Sequence, residues 1–220
     1  MTRIVVVLML ALMLAGCEST PSASDTSQDS NQIQMSQKST LLEQIDRQYE
    51  NPEAHYQLGK LYHAEGRLNK ADFEYRVAIG FDPVHFRAQA ALVKVLTDLK
   101  QANRAEIIAE LYTSQVAVSA EKSMLLGKAF EKEGLGKYAL NCYFQAVGLA
   151  PDSPEPYRLL GYHYLNEGDQ VRAEEYFRRS FELNPYQADV SGELGRMGVT
   201  VQGPQGPATY IPNEIPAQSE

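Results

Sequence analysis

The residues from Pro154 to Gln187 carry two apolar stripes with the spacing of α-helices. The apolar and small residues of the first half recur at steps of one, three and four: Tyr157, Leu160, Gly161 and Tyr164. Those of the second half follow similar steps: Ala173, Phe177, Ser180 and Phe181. Gly168 ends the first helix, Asp169 can cap the second, and Asn184-Pro185 stops it. The pattern predicts two antiparallel helices, a helical hairpin, that needs neighbouring elements to bury its stripes.

The same signals recur every 34 residues along the chain. The Leu-Gly pair stands at Leu58-Gly59, Leu126-Gly127 and Leu160-Gly161. The turn glycine stands at Gly66, Gly134 and Gly168, and the alanine of the second helix at Ala71, Ala105, Ala139 and Ala173. These repeats define four hairpins, at residues 52–85, 86–119, 120–153 and 154–187. Residues 188–198 repeat the pair once more, as Leu194-Gly195, and then stop, which predicts a single capping helix.

This pattern resembles the tetratricopeptide repeat, with no insertion between units across residues 52–187. The resemblance implies an all-α fold, a tetratricopeptide-repeat α-solenoid of four helix-turn-helix repeats with a C-terminal capping helix. The second hairpin departs from the pattern: Val93 replaces the glycine, Ala109 the aromatic residue and Tyr112 the small residue. The side-chain volume missing at Ala109 is regained at Tyr112. We therefore expect this hairpin to fold, with a different crossing angle between its two helices. We also expect its end, near residues 113–119, to be irregular.

The N-terminal residues predict a removable signal peptide at 1–16. Arg3 precedes the apolar run from Ile4 to Leu14, which is too short to span a bilayer, and small residues follow. Leu14-Ala15-Gly16-Cys17 resembles the lipobox of bacterial lipoproteins. The resemblance implies lipidation of Cys17 as the mature N-terminus, and several acyl chains together anchor a protein stably. An ordinary secretory signal with an incidental cysteine is the alternative. Glu18 stands where aspartate retains such lipoproteins in the inner membrane, so the resemblance favours the outer membrane, facing the periplasm.

The segments that flank the repeats differ from them in composition. Residues 17–37 are polar, and we expect a lipidated, disordered tether there. Residues 38–51 carry a helical stripe that predicts an N-terminal capping helix over the first repeat: Leu41, Leu42, Ile45 and Tyr49. Residues 199–220 are rich in proline and glycine, which predicts an extended, poorly ordered tail. In the alternative, residues 199–201 or Tyr210-Ile211 dock back onto the repeats.

Net charge and the absence of known motifs argue against several classes of function. The formal net charge of −8 argues against general nucleic-acid binding, which needs a basic face. Cys142 is the only cysteine besides Cys17 and is interpreted as a buried, inert thiol. The sequence contains no zinc-protease, phosphate-loop or Gly-x-Ser-x-Gly motif, and His163 is interpreted as a hydrogen-bonded core histidine. We therefore expect no enzyme, no metal, no cofactor and no small-molecule substrate.

In tetratricopeptide-repeat domains, the first helices of successive repeats line a concave groove that holds a peptide or helix of a partner. The resemblance places a basic column at the ninth position of each unit: Lys60, Lys94, Lys128, Tyr162 and Arg196. The fifth position adds adaptable surface at Tyr56, Met124 and Arg158, and Leu165 lies at the twelfth. These residues predict a partner peptide with acidic residues. The alternative is an ordinary solvated face, partly neutralised by Glu53, Glu121 and Glu155.

Together these features predict a lipid-anchored envelope adaptor that binds another envelope protein. Tetratricopeptide-repeat lipoproteins of this kind include some that assist assembly of type IV and tight-adherence pili and others that scaffold cell-wall hydrolases. The sequence does not choose between these roles. A pilotin-like factor that carries an outer-membrane subunit to its site is a further alternative, and an enzyme is disfavoured.

Overall fold

A computed structural model describes residues 23–201 of the chain. In this range the fold consists of helices and turns, and the predicted all-α solenoid of four hairpins and a capping helix is confirmed. The helices are α1 (Ala23–Arg47), α2 (Pro52–Ala64), α3 (Leu68–Phe81), α4 (Phe86–Asp98), α5 (Ala102–Gln115), α6 (Ala120–Lys132), α7 (Gly136–Leu149), α8 (Pro154–Asn166), α9 (Gln170–Leu183) and α10 (Ala188–Arg196).

The helices α2 to α9 pack as four antiparallel hairpins, each of which also contacts the next. Local chemistry sets their starts. Pro52 and Pro154 open α2 and α8, where a missing N–H costs little. The Asn51 side chain accepts a hydrogen bond from the Ala54 N–H (3.1 Å), and the Asp169 carboxylate accepts one from the Arg172 N–H (3.0 Å). These caps hold the first turns of α2 and α9.

The two helices of a hairpin meet at the Leu-Gly pair. A Cβ atom added at Gly59 would lie 2.6 Å from the Tyr75 ring, and one at Gly127 would lie 2.5 Å from the Tyr143 ring. In the fourth hairpin, a Cβ at Gly161 would lie 2.5 Å from the Phe177 ring. The aromatic residue of the second helix therefore occupies the space that a side chain on the first helix would need. This contact explains why the glycine and the aromatic residue recur together.

In the second hairpin, other residues fill the space between the two helices. Val93 and Ala109 are both fully buried, so the valine supplies apolar volume where the other hairpins have an aromatic ring over glycine. Tyr112 is also buried, at 7% exposure. The helices α4 and α5 approach each other less closely than the helices of the other hairpins. Eight of the thirteen residues of α4 are buried, which makes it the most enclosed helix of the described chain.

Lys100 occupies the turn position that glycine holds in the other hairpins. Its φ is 62°, compared with 71°, 70° and 79° for Gly66, Gly134 and Gly168. The Lys100 N–H donates to the Thr97 carbonyl (3.0 Å), and the Gln101 N–H donates to the Leu96 carbonyl (2.9 Å). This turn thus has the same left-handed backbone conformation as the turns of the other three hairpins, although a residue with a Cβ atom is strained in it.

We expect Lys100→Gly to raise the free energy of unfolding by about 0.5–1 kcal/mol, because relief of the left-handed strain exceeds the entropy that glycine adds to the unfolded chain. Urea denaturation followed by circular dichroism measures the change. The reverse substitution, Gly134→Lys, is the matched control and should lower stability by a similar amount. An unchanged or lower stability of Lys100→Gly would contradict the strain argument.

The chain divides into two compact units at Thr40, within α1. The prediction of a disordered segment is wrong for residues 23–37, which are helical. No glycine or proline lies between Ala23 and Arg47, so each added residue extends the helix by one hydrogen bond. The hydroxyls of Ser39 and Thr40 donate to the Ser36 carbonyl. In the second unit, Leu41 and Ile45 pack against the core, and the helix ends at Arg47, before Tyr49.

At the other end, α10 buries Val190 and Leu194 completely. Gly198 ends the helix with a φ of 79°, and the Val199 N–H donates to the Leu194 carbonyl (2.9 Å). Val199 belongs to the core and Val201 packs against it, as in the docking alternative for residues 199–201. The rest of the expected tail lies outside the described residues, as do the expected signal peptide and Cys17. None of the helices within residues 23–201 is long and apolar enough to cross a membrane.

Candidate functional site

The first helices of the hairpins form an inner layer, in which α2 contacts α4, α4 contacts α6 and α6 contacts α8. Glu133, at the end of α6, lines a cavity of about 240 Å³ together with Lys60, His63 and Tyr75 of the first hairpin. Residues of the first and third hairpins therefore meet across α4, and the inner surface is concave there. Ala90 of α4 lies at the fifth position but is fully buried, so the second hairpin contributes little to the accessible groove.

Tyr56 does not line an accessible surface, and this part of the sequence prediction is wrong. The side chain is 2% exposed. Its ring centroid lies 5.0 Å from that of His85 and 6.0 Å from that of Tyr75, and the Arg87 guanidinium lies 5.1 Å from it on the open side. The aromatic ring is thus a core element between the first two hairpins. Lys60 is exposed, with its ammonium 5.7 Å from the Tyr56 ring centroid.

Carboxylates of the same chain pair with most of the predicted basic column. Lys94 bonds to Asp98 at 2.7 Å, and Lys128 bonds to Glu155 at 3.0 Å. Arg196, on the capping helix, pairs with Glu193. The column is therefore largely neutralised within the chain. The sequence-based alternative named Glu155 for this role, whereas Glu53 bonds to His85 and Arg87, outside the column.

Arg158 is the centre of an ion-pair chain that joins hairpins 3 and 4 to the cap. Its guanidinium bonds to Glu155 through two nitrogens (2.8 Å each) and to Asp189 through a third (2.8 Å). Burial alone would raise the pKa of the Glu155 carboxyl, but hydrogen bonds from Arg158 and Lys128 outweigh it and lower the pKa below its usual value. Burial alone would also raise the pKa of Asp189, but hydrogen bonds from Arg158, the Val190 N–H and Tyr162 together lower it. Arg158 thus holds the capping helix in place, and its charge is already paired within the chain.

The remaining predicted groove residues are half-buried. The Tyr162 hydroxyl donates to Asp189 (3.1 Å), and its ring meets the Phe177 ring edge-on with centroids 5.0 Å apart. Leu165 packs against the hydrophobic core, and Met124 is partly accessible on α6. Tyr162 and Met124 therefore lie on the accessible inner surface, while Leu165 is shared with the core.

The accessible inner surface is concentrated on hairpins 3 and 4. A cavity of about 310 Å³ lies between α6, α7 and α8, and its lining residues are Lys128, Glu131, Lys132, Tyr143, Leu159, Tyr162, His163 and Asn166. A second cavity, of about 340 Å³, is lined by Leu125 of α6 and by residues of the α3–α4 loop and the start of α4, among them Val84 and Phe86. Leu125 is 45% exposed, a large fraction for a leucine. Apolar surface thus faces the groove on both sides of α6.

Sequence reasoning missed Leu125 and Leu159, which share the sixth position of their repeats. It assigned the groove to the fifth, ninth and twelfth positions and passed over the residue beside the fifth. Because α6 and α8 turn this face toward the open groove, the sixth position is accessible in both helices. The signal available in the sequence was leucine at the sixth position of the third and fourth repeats, where the first has Gln57.

Sequence reasoning also missed the carboxylate partners of the histidines. Each described histidine bonds to a carboxylate: His55 to Glu74 (2.7 Å), His63 to Asp98 (2.8 Å), His85 to Glu53 (3.1 Å) and His163 to Glu131 (2.9 Å). Two of these pairs, His63–Asp98 and His163–Glu131, join neighbouring hairpins. His163 is 5% exposed, so its interpretation as a hydrogen-bonded core histidine is confirmed. Within residues 23–201, no group of three or more histidine, cysteine, aspartate or glutamate side chains is placed to hold a metal ion.

Cys142 is fully buried on α7, beside the groove aromatic Tyr143. Burial raises the pKa of its thiol to about 11, although a contact with the Thr113 hydroxyl (3.8 Å) lowers it slightly. A thiol that is buried and protonated is a poor nucleophile and a poor metal ligand. The interpretation of Cys142 as an inert core residue is therefore confirmed for this structure.

Comparison with known proteins gives consistent results for the repeats. The tetratricopeptide-repeat family model matches residues 52–85 and 155–187. The human protein O-mannosyl-transferase TMTC1 is 27% identical over 145 residues, which is 63% of this chain but only 16% of TMTC1. Among solved structures, MamA of Desulfovibrio magneticus RS-1 is 23% identical, with 75% of this chain and 94% of MamA covered and a TM-score of 0.40. PilF of Pseudomonas aeruginosa is 24% identical, with 67% and 69% covered and a TM-score of 0.38.

The similarity to the solved structures is a similarity of helical fold alone. The family model matches the first and fourth hairpins. The third hairpin has the same glycine–aromatic contact between its helices as those two. The chain contains tetratricopeptide repeats, which the family model matches at residues 52–85 and 155–187.

Proposed function

We propose that this chain is a lipid-anchored adaptor of the bacterial envelope that holds an extended segment of a partner protein along the first helices of hairpins 3 and 4. The partner belongs to an envelope machine such as a pilus, whose assembly the adaptor assists. The observation that carries this proposal is the accessible inner surface of α6 and α8. A cavity of about 310 Å³ lies between α6, α7 and α8, and the exposed Leu125 of α6 borders a cavity of about 340 Å³ that residues 82–87 also line.

The composition of this surface favours a peptide over a small molecule. Leu125 and Leu159 supply apolar contact, while Tyr162 and Lys128 supply an aromatic edge and a charged head at the same groove. Small-molecule sites bury most of their ligand in an enclosed pocket, whereas these cavities are shallow and follow one another along the array. A surface of this kind fits an extended chain that places successive side chains in successive cavities.

The membrane attachment in this proposal rests on the sequence. Leu14-Ala15-Gly16-Cys17 supports lipidation at Cys17, and Glu18 supports the outer membrane with the repeats in the periplasm. The test is Cys17→Ala in cells of the source organism, which should move the protein from the membrane fraction to the soluble periplasmic fraction.

Site-specific photocrosslinking tests the partner-binding groove. We expect a photoreactive phenylalanine analogue at Leu125 to yield one discrete crosslinked species in intact cells, because this side chain is 45% exposed on the inner surface. Mass spectrometry of that species identifies the partner. The control is the same analogue at Val171, which is 81% exposed at the start of α9, and it should yield no such species. Identical patterns at the two positions would refute a groove-specific partner.

A further inference from the structure

The cavity between α6, α7 and α8 is lined by a buried tyrosine residue, whose hydroxyl has no hydrogen-bond partner among the described residues. Tyr143 is 2% exposed and lines this cavity. Its ring packs over Gly127 and meets the ring of His163 edge-on at 6.4 Å. Its hydroxyl makes no hydrogen bond to any described residue. Within residues 23–201, the buried side-chain atoms without a partner are Arg76 Nη2 and Gln89 Oε1, so the Tyr143 oxygen is accessible from the cavity and is free to bond to a ligand atom there.

The hydroxyl of Tyr143 is a hydrogen-bond donor at neutral pH. Burial raises its pKa, and the nearby Glu131 and Glu155 carboxylates raise it further. The phenol therefore stays protonated and can donate to an oxygen atom that enters the cavity.

Two lysines stand at the rim of the same cavity. Lys132 is exposed and has no ion-pair partner among residues 23–201. Lys128 gives one hydrogen bond to Glu155 and keeps further N–H groups for a ligand. The one carboxylate of the lining, Glu131, is held by His163 at 2.9 Å. In a chain with a formal net charge of −8, this lining has two ammonium groups, of which that of Lys128 is also paired with Glu155, and one carboxylate, which His163 engages.

The equivalent cavity of the first hairpin has the same floor but a different rim. There Tyr75 is 1% exposed and its hydroxyl also has no partner among the described residues. Lys60 corresponds to Lys128, but Ala64 stands where the third hairpin has Lys132, and Glu133 adds a carboxylate. One ammonium group and one carboxylate balance each other, so this cavity has no preference for an anion.

We propose that the cavity formed by Lys128, Lys132 and Tyr143 binds an acidic side chain, aspartate or glutamate, of the segment that occupies the groove. This inference rests on the proposed function, because it names the chemistry of one contact within the same groove. Two ammonium groups and a phenol hydroxyl supply the charge-assisted hydrogen bonds that a carboxylate needs. Leu159 and the Tyr162 ring supply apolar contact for the methylene groups of that side chain.

The experiment uses the full-length lipidated chain in detergent and a library of synthetic 12-residue peptides with amidated C-termini. The tightest binder is measured by fluorescence anisotropy against the wild type and single-substitution variants. We expect it to contain an aspartate or glutamate whose replacement by asparagine or glutamine weakens binding about tenfold. We expect Tyr143→Phe to weaken binding of the acidic peptide about tenfold and to leave binding of the amide peptide unchanged. Loss of the hydroxyl leaves no cavity and no broken internal hydrogen bond, so the variant keeps its fold.

Two controls separate this inference from the proposed function. Tyr75→Phe removes the equivalent hydroxyl from the cavity of the first hairpin and should change the affinity for the peptide less than twofold. Leu159→Asp places a charge on the apolar wall and should abolish binding of every selected peptide. Peptides that still bind Leu159→Asp, or a library without binders, would overturn the groove itself and the inference with it. Peptides that need Leu159 but bind Tyr143→Phe normally would overturn the acidic-side-chain site alone.

A last measurement distinguishes binding of an acidic side chain from binding of a C-terminal carboxylate. The glutamine-substituted peptide is resynthesised with a free C-terminal carboxylate. We expect it to bind as weakly as its amidated form. Recovery of the original affinity would show that the cavity takes a terminal carboxylate, and would overturn the assignment to an acidic side chain.

Discussion

Gly161→Leu is expected to lower the free energy of unfolding by roughly 3 kcal/mol, at the upper end of the usual cost of overpacking. A Cβ atom alone at this position would lie 2.5 Å from two ring carbons of Phe177. The ring is fully buried and cannot rotate away without displacing other core residues. The two helices of the fourth hairpin must therefore separate, and the contact with the cap on α10 weakens. Urea denaturation followed by circular dichroism measures the loss.

The matched control is a glycine in a helix with open space around it. A Cβ atom at Gly192, in the middle of α10, would have no neighbour within 4 Å. Gly192→Ala should therefore raise stability by about 0.5–1 kcal/mol through helix propensity. If Gly161→Leu melts like the wild type, the close helix contact at Gly161 is absent in solution.

Val93→Gly is expected to lower the free energy of unfolding by about 3 kcal/mol. Val93 is fully buried on α4, and the change removes three apolar carbon atoms at about 0.8 kcal/mol each. The lower helix propensity of glycine adds about 0.5 kcal/mol. The substitution restores the residue that the repeat pattern carries elsewhere, yet Ala109 faces it in place of an aromatic ring, so the vacated volume stays empty.

The same substitution at an exposed valine isolates the packing contribution. Val171 is 81% exposed near the start of α9, so Val171→Gly should cost no more than about 0.5 kcal/mol. Both variants are measured by the same urea denaturation. Equal losses at the two positions would contradict the view that Val93 replaces the glycine–aromatic contact of the other hairpins.

The sequence was sufficient for the hairpins because their signals are local and repeated. A glycine, an aromatic residue and a turn glycine at fixed offsets determine one hairpin, and the constant period of 34 residues determines the stacking of all four. The departures of the second hairpin were also visible in the sequence, but only the structure shows that Val93 compensates for Ala109. That compensation depends on which side chains meet between helices, and the repeat spacing does not determine this.

The sequence was less informative about the groove, since accessibility depends on the neighbouring hairpins. Tyr56 stands at a position that faces the groove in the pattern, but His85, which caps α4, and Arg87 of α4 cover its ring. Likewise, Lys94 and Lys128 form a basic column in the sequence, whereas their carboxylate partners are seen only in three dimensions. At residues 23–37, polar composition suggested disorder, although no residue there interrupts a helix.

The enclosure of α4 has a consequence for how the array opens. In a repeat array, local opening proceeds from the ends, where each unit has a neighbour on one side only. Backbone amides of α4 exchange with solvent only when the neighbouring hairpins have also separated, since most of its surface is covered. Amides of α9 and α10 exchange through smaller fluctuations. The proposed groove thus extends from the interior of the array to the end that opens at the lower cost, and the second hairpin is the part that opens last.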